Sequence, residues 1–202
     1  VGISPSPATT LDNLVAVPQG WEDLDGAAEK YKYAWLVADG SGTMIPDTGE
    51  TTNSYPSGKT VKGDLIQVVA TPTNDYGDGG AVISPTLTID NSAPDAPVVA
   101  ITPSAPEPAD NLQCGVTTPS GDADGDAVTY GYVWYQNGAI TSVTGNVAAA
   151  TYTAHGDTWE CVVTPNDGED NGPSASDSVT VSDVTAPNDP AIDTPSAYRN
   201  DA

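Results

Sequence analysis

The chain has 202 residues, room for two domains of ordinary size, and sets 28 Asp and Glu against 5 Lys and Arg for a formal net charge of -23. That charge excludes nucleic acid and an anionic membrane surface as partners, because both need positive charge to displace their counterions. Phe is absent, yet 4 Trp, 9 Tyr and 38% hydrophobic residues suffice for small cores, while 20 Gly and 18 Pro mark many turns. No run approaches the roughly 18 apolar residues of a membrane helix. No signal peptide is evident at Val1, as expected of a mature protein or a fragment.

From the first residues onward the chain repeats itself. Ile3-Ser4-Pro5-Ser6 and Asp12-Asn13-Leu14 return 98 positions later as Ile101-Thr102-Pro103-Ser104 and Asp110-Asn111-Leu112. Asp23-Leu24-Asp25-Gly26 returns as Asp122-Ala123-Asp124-Gly125, and Tyr31-Lys32-Tyr33-Ala34-Trp35 as Tyr130-Gly131-Tyr132-Val133-Trp134, both 99 apart. Gly63-Asp64 and Thr71-Pro72 match Gly156-Asp157 and Thr164-Pro165 at 93, so the second copy lacks about six residues between Trp134 and Gly156, in a stretch that belongs to loops or edge strands. Asp90-Asn91-Ser92-Ala93-Pro94 recurs as Asp183-Val184-Thr185-Ala186-Pro187, followed by Pro97 and Pro190. These offsets divide the chain into domains at 1–91 and 92–184 and a segment 185–202, the linker and first strand of a further unit or an inter-subunit strand.

Each unit reads as short alternating strands between Gly, Pro, Asn and Asp turns, with no 3.6-residue periodicity. In the second unit, strands are expected at 98–101, 112–116, 128–135, 148–153, 158–164 and 178–181. Val128, Tyr130, Tyr132 and Trp134 alternate onto one inward face, as do Trp159, Cys161 and Val163. The fold class that follows is all-β, two tandem sandwiches of paired sheets with a C-terminal tail. Cys114 on the second strand, Trp134 on the third and Cys161 on a late strand follow the Cys, Trp, Cys order of an immunoglobulin-type sandwich. That order implies a Cys114–Cys161 disulfide and an oxidising compartment, the alternative being a pair of buried thiols. Ala16 and Val68 hold the matching positions in the first unit, whose core must rest on packing around Trp35.

These residues resemble a family: the tandem Ig-like repeats, in the style of PKD and cadherin-like modules, of secreted and surface proteins of bacteria and archaea. The resemblance covers nearly the whole chain. It rests on Asp110 to Cys114, Asp122-Ala123-Asp124-Gly125-Asp126, Tyr130 to Tyr135, and the run from Gly156 to Gly168. The first unit departs from it, lacking both cysteines and the third Asp. The family implies stalks, adhesins and filament subunits without catalytic residues, hence an extracellular or cell-surface location.

The strongest chemical signal is Asp122, Asp124 and Asp126, alternate carboxylates that can converge on calcium while Gly125 lets the loop bend. The loop is not an EF-hand, since Ala127 and Val133 stand where the turn Gly and bidentate Glu should be. In an Ig-like sandwich Asn166, Asp167, Glu169 and Asp170, and the linker residues Asp90, Asn91 and Asp95, reach the same pole. The expected site is therefore Asp122, Asp124, Asp126, Asp90, Asn91 and Asp167, against the plainer reading of solvated turn aspartates. Lys and Arg are absent from 63 to 198, so the second unit holds no basic side chain to neutralise it.

Catalytic readings fail on the same residues. Asp47-Thr48-Gly49 has no second copy to form an aspartic-protease pair, and the single His155 has no nucleophile placed near it by any motif. No acid among the 28 is marked as a glycosidase acid by a setting that would raise its pKa. No Asn-X-Ser/Thr sequon occurs, whereas Ser4 to Thr10 and Thr51 to Ser57 suit O-linked sugar. The function expected is a structural extracellular protein, a stalk repeat or the subunit of a head-to-tail filament whose partners are copies of itself or adjacent repeats. An adhesin or carbohydrate-binding module, with Trp21 and Tyr76 stacking on sugar, is the alternative.

Overall fold

The computed structural model describes residues 1–24 and 26–182. The segment expected to pair as a strand at 185–202, and Asp25 of the first acidic loop, lie outside the described residues. In chain order the strands are β1 (Gly2–Ser4), β2 (Ala8–Thr9), β3 (Leu14–Val17), β4 (Tyr31–Ala38), β5 (Met44–Asp47), β6 (Ser54–Tyr55), β7 (Leu65–Asn74), β8 (Gly77–Asp78), β9 (Val82–Ile83) and β10 (Leu87–Asp90). They continue as β11 (Val98–Thr102), β12 (Leu112–Thr118), β13 (Thr129–Gln136), β14 (Ala139–Ile140), β15 (Val147–Ala148), β16 (Thr158–Asn166) and β17 (Ala175–Thr180).

The first repeat forms a sheet β1-β3-β6 and a second sheet β2-β10-β7-β4-β5, with β8 and β9 also paired to β7. Its core is Leu14, Ala16, Trp35, Tyr55, Ile66, Val68 and Ile89, all nearly inaccessible to solvent. The second repeat forms β11-β12-β15 and β14-β13-β16-β17. Strand β16 shows the expected alternation in full, with Trp159, Cys161, Val163 and Pro165 buried and the residues between them half-exposed.

Equivalent positions in the two repeats share the same geometry and exchange volume. Trp35 and Trp134 are both fully buried, and each indole N–H donates to a backbone carbonyl at 3.0 Å, that of Thr52 and that of Gly145. The ring packed on that Trp comes from different strands. In the first repeat it is Tyr55 of β6, 5.3 Å between centroids; in the second it is Trp159 of β16, edge-on at 6.0 Å. The counterparts of these rings are Ala148 and Ile66, so one large and one small residue trade places across the core. Cys114 and Cys161 are bonded, with Cα atoms 6.4 Å apart, where Ala16 and Val68 stand in the first repeat.

Two local expectations are corrected. The strand expected at 148–153 is only β15, followed by a 3-10 turn at Ala150–Tyr152. The chain is drawn off the sheet there because Asn111 Oδ1 accepts the Ala150 N–H at 2.7 Å and the Thr153 hydroxyl donates back to the Asp110 carbonyl at 3.1 Å. The short β14 was not anticipated. Asn137 (φ 52) and Gly138 (φ 79) make the two-residue turn that joins it to β13, a conformation for which Asn-Gly is the favoured pair.

By compactness the described chain forms two units that do not follow the repeat boundary. Val1–Val99, Val116–Gly131 and Val163–Ala175 make one, and Ala100–Gly115, Tyr132–Val162 and the stretch from Ser176 the other. The acidic loops after β12 and β16 thus belong to the same unit as the whole first repeat and the linker.

Candidate functional site

Within that first unit, Asp122, Asp124 and Asp126 converge as expected, each offering a carboxylate oxygen within 4.8 Å of the others. The loop holds itself in shape: Asp122 Oδ1 accepts the backbone N–H of Asp124 at 2.9 Å and of Asp126 at 3.0 Å. This is the local Asx bonding that makes aspartate a turn residue. The other oxygen, Asp122 Oδ2, is enclosed and has no hydrogen-bond partner among the described residues.

The remaining carboxylates are met by protein donors. Asp124 accepts the Thr10 hydroxyl at 2.8 Å and the Ser92 backbone N–H at 2.7 Å, and Thr10 and Ser92 are joined to each other at 2.6 Å. Both hydroxyl residues are buried. Lys62 Nζ lies 2.9 Å from Asp126 Oδ2 and pairs also with Glu169 Oε1. Its hydrogen bonds with Glu169, and then Asp126, raise the ammonium pKa above the ordinary lysine value. Asn91 donates its amide to Asp167 at 2.8 Å and to Asp170 at 3.0 Å. That bond, with the backbone N–H groups of Asp170 and Glu169, holds the Asp167 carboxyl down at about 2.

Of the six residues expected to form one site, three share the carboxylate cluster. Asn91 and Asp167 form a second bonded group beside Asp170, and Asp90 is the exposed last residue of β10. Lys62, Thr10 and Ser92 were not anticipated. The neutralising charge was sought within 63 to 198, and Lys62 lies one residue outside it. Position 62 also departs from the repeat, since its counterpart is His155.

The first repeat's own acidic loop is handled differently. Asp23 Oδ2 accepts the Asn74 amide at 2.8 Å, Lys32 pairs with Asp78 at 2.7 Å and Lys30 with Asp75 at 3.6 Å. Lys30 and Lys32 are on or next to β4, whereas their counterparts are Thr129 and Gly131. The rejected catalytic candidates have plain structural settings. Asp47 accepts the Tyr55 hydroxyl and the Lys59 ammonium, both at 3.0 Å, and burial together with Asp47 pushes the Tyr55 phenol up to about 12. His155 is exposed in the turn before β16. Trp21 is half-buried, edge-on to Tyr31 at 5.6 Å, and Tyr76 is 90% exposed.

No family model matches the sequence, and no curated relative does. Among solved structures, the chicken interferon gamma receptor alpha chain is similar at 9% identity over 87% of this chain and 94% of that one, with a TM-score of 0.50. A two fibronectin type-III domain segment from chicken tenascin is 10% identical over 89% of this chain and 96% of that one, with a TM-score of 0.45. At such identity the first likeness speaks to fold alone, and it agrees with the paired sheets described above: the chain has an all-β, immunoglobulin-like sandwich fold. A disulfide in a sandwich of this class is typical of extracellular proteins. Among the described residues, no helix is long and apolar enough to cross a membrane.

Proposed function

We propose that this chain is a non-catalytic extracellular structural module, a repeat of a prokaryotic surface stalk or the subunit of a head-to-tail filament. The observation that carries the reading is the fastening of the linker. Ser92 and Asn91, which would be free in a flexible tether, are bonded to Asp124, Asp167 and Asp170, while Thr10 and Lys62 grip the same loops. A linker tied by hydroxyl, amide and ammonium donors transmits tension instead of hinging, which is what a stalk or fibre requires. Electron microscopy of the purified full chain tests it: regular fibres or rigid rods are expected, and monodisperse particles that bind a glycan array would favour the adhesin reading instead.

Calcium at Asp122, Asp124 and Asp126 belongs to the same reading. The convergence within 4.8 Å and the enclosed, unpartnered Asp122 Oδ2 suit a hard cation, which oxygen ligands hold. Asp124 already serves two protein donors and Asp126 one, so the ion would add to the Lys62 latch and not replace it. Thermal unfolding with millimolar calcium and with chelator reads this directly, because a ligand of the native state raises its stability by mass action. An unchanged midpoint removes calcium from the reading and leaves the latch.

A further inference from the structure

The two repeats differ in what lies against one conserved corner. In the second, Pro94 of the linker is fully buried against Gly172, whose backbone N–H donates to the Pro165 carbonyl at 3.0 Å. The approach is so close that a Cβ on Gly172 would run into the Pro94 carbonyl and crowd the Pro165 ring. The next linker residue, Asp95, donates its N–H to the Gly121 carbonyl at 2.9 Å, and Pro97 is buried in turn. The linker thus seats as Ala93-Pro94-Asp95-Ala96-Pro97.

The corner is built again in the first repeat. Gly79 is the counterpart of Gly172 and Pro72 of Pro165, and the Gly79 N–H donates to the Pro72 carbonyl at 2.8 Å. Here the corner opens into a recess of about 120 Å³ whose lining includes Trp21, Glu22, Asp23, Pro72, Asn74 and Gly79. It adjoins a groove of about 250 Å³ that shares Trp21, Glu22 and Pro72 and runs to Val1 and Val82. Glu22 stands at the position of Gly121.

The sequence holds a second segment of the seated type, Ala186-Pro187-Asn188-Asp189-Pro190, 93 residues after the first. At the one place where the corner has gained a charge, this segment has moved its own charge away by one residue, from the position of Asp95 to that of Ala96, where Asp189 stands. Asp95 faces Gly121, with Asp95 Oδ2 only 3.4 Å from where a Cβ would be, whereas the residue matching Asp95 is Asn188 and the residue matching Gly121 is Glu22. An Asp there would meet the Glu22 carboxylate; an Asn carries no charge and brings an amide donor. From this complementarity we infer that the recess at Trp21, Glu22, Pro72 and Gly79 is a docking slot for residues 186–190 of a second copy of this chain. Extended proline segments suit such aromatic-lined grooves because their backbone is already ordered. The inference rests on the head-to-tail reading and supplies its contact.

A fluorescein-labelled peptide of residues 183–195 titrated with the full chain tests the slot by anisotropy, and Trp21 reports it independently, since Trp35, Trp134 and Trp159 are fully buried. Saturable binding with a change in Trp emission is expected. Asn188→Asp in the peptide should weaken it about tenfold or more, and the exposed-site variant Glu22→Gly should restore it. A copy of residues 92–98 added ahead of Val1 should fill the slot in cis and abolish binding. Absence of binding, equal affinity for the Asn188→Asp peptide, or indifference to the added segment overturns the inference. Assembly is scored separately by microscopy. Fibres that persist in full-length Asn188→Asp overturn the slot while the head-to-tail reading stands; peptide binding with no fibres from the native chain upholds the slot and removes the filament.

Discussion

Replacing the disulfide by the pair that the first repeat uses in its place, Cys114→Ala with Cys161→Val, isolates what the bridge contributes. Ala16 and Val68 are 3% and 0% exposed at those positions, and Val68 lies opposite Trp35 on the neighbouring strand, so Ala and Val are compatible with this core. The folded state therefore loses little packing, and the main change is release of the unfolded chain. The bridge spans 47 residues, a loop whose closure is worth about 4 kcal/mol in the chain-entropy model. For a domain of this size each kcal/mol moves the midpoint by about 4–8 °C, so the transition of the second repeat should fall by roughly 15–30 °C. Thermal unfolding followed by near-ultraviolet circular dichroism reads it, because the Trp134–Trp159 pair gives the second repeat its own signal. A loss below about 1 kcal/mol would refute the reasoning, and would mean that the reduced, unfolded chain is already compact there.

Lys62→Met should loosen the loops 122–126 and 167–170, read as faster amide exchange confined to them, and high salt should reproduce part of the effect in the native chain. Unchanged protection would mean that Thr10, Ser92 and Asn91 suffice alone. Asp167, held at about 2 in the folded chain, is below its unfolded value. Its stabilisation is therefore full above the ordinary aspartate pKa and is lost as pH falls through about 2, and carboxyl NMR titration should show that low midpoint, shifted upward by Asn91→Ala. Gly172→Ala should cost about 1–3 kcal/mol, since the colliding partner is the Pro94 backbone, which cannot turn aside as a side chain can; denaturant unfolding measures it.

The sandwich was legible because its signals are redundant. Strand β16 alternates without a break from Trp159 to Pro165, the core Trp35 returns as Trp134 at the offset of its neighbours, and the two cysteines flank Trp134 in order. The short elements were less so. Strand β14 rests on two residue pairs and one Asn-Gly turn, and the shortening of β15 depends on Asn111 and Asp110, about 40 positions away in sequence, which no local pattern reports. Of the candidate site, the convergence of Asp122, Asp124 and Asp126 was legible because it is local to one loop. The donors that answer them come from residues 10, 62 and 92, and only the fold places these at the loop.

Those donors share a property that explains why an internal repeat conceals them. Repetition marks what every unit needs for its own core, Leu14 and Leu112, Trp35 and Trp134, and for its corner, Pro72 and Pro165. Apart from Ser92, whose counterpart Thr185 keeps a hydroxyl, the residues that fasten the linker and its loops are the ones that change between copies. Lys62 becomes His155, Thr10 becomes Pro108, Asn91 becomes Val184, and Lys30 and Lys32 become Thr129 and Gly131. The first repeat answers its own acids with Lys30 and Lys32, while those of the second are answered by Lys62 of the repeat before it. A lysine shared in this way ties the charge balance of one repeat to the presence of its neighbour. In the stalk or fibre we propose, order would then be set by which departures from the repeat face each other, as Asn188 and Glu22 are inferred to do.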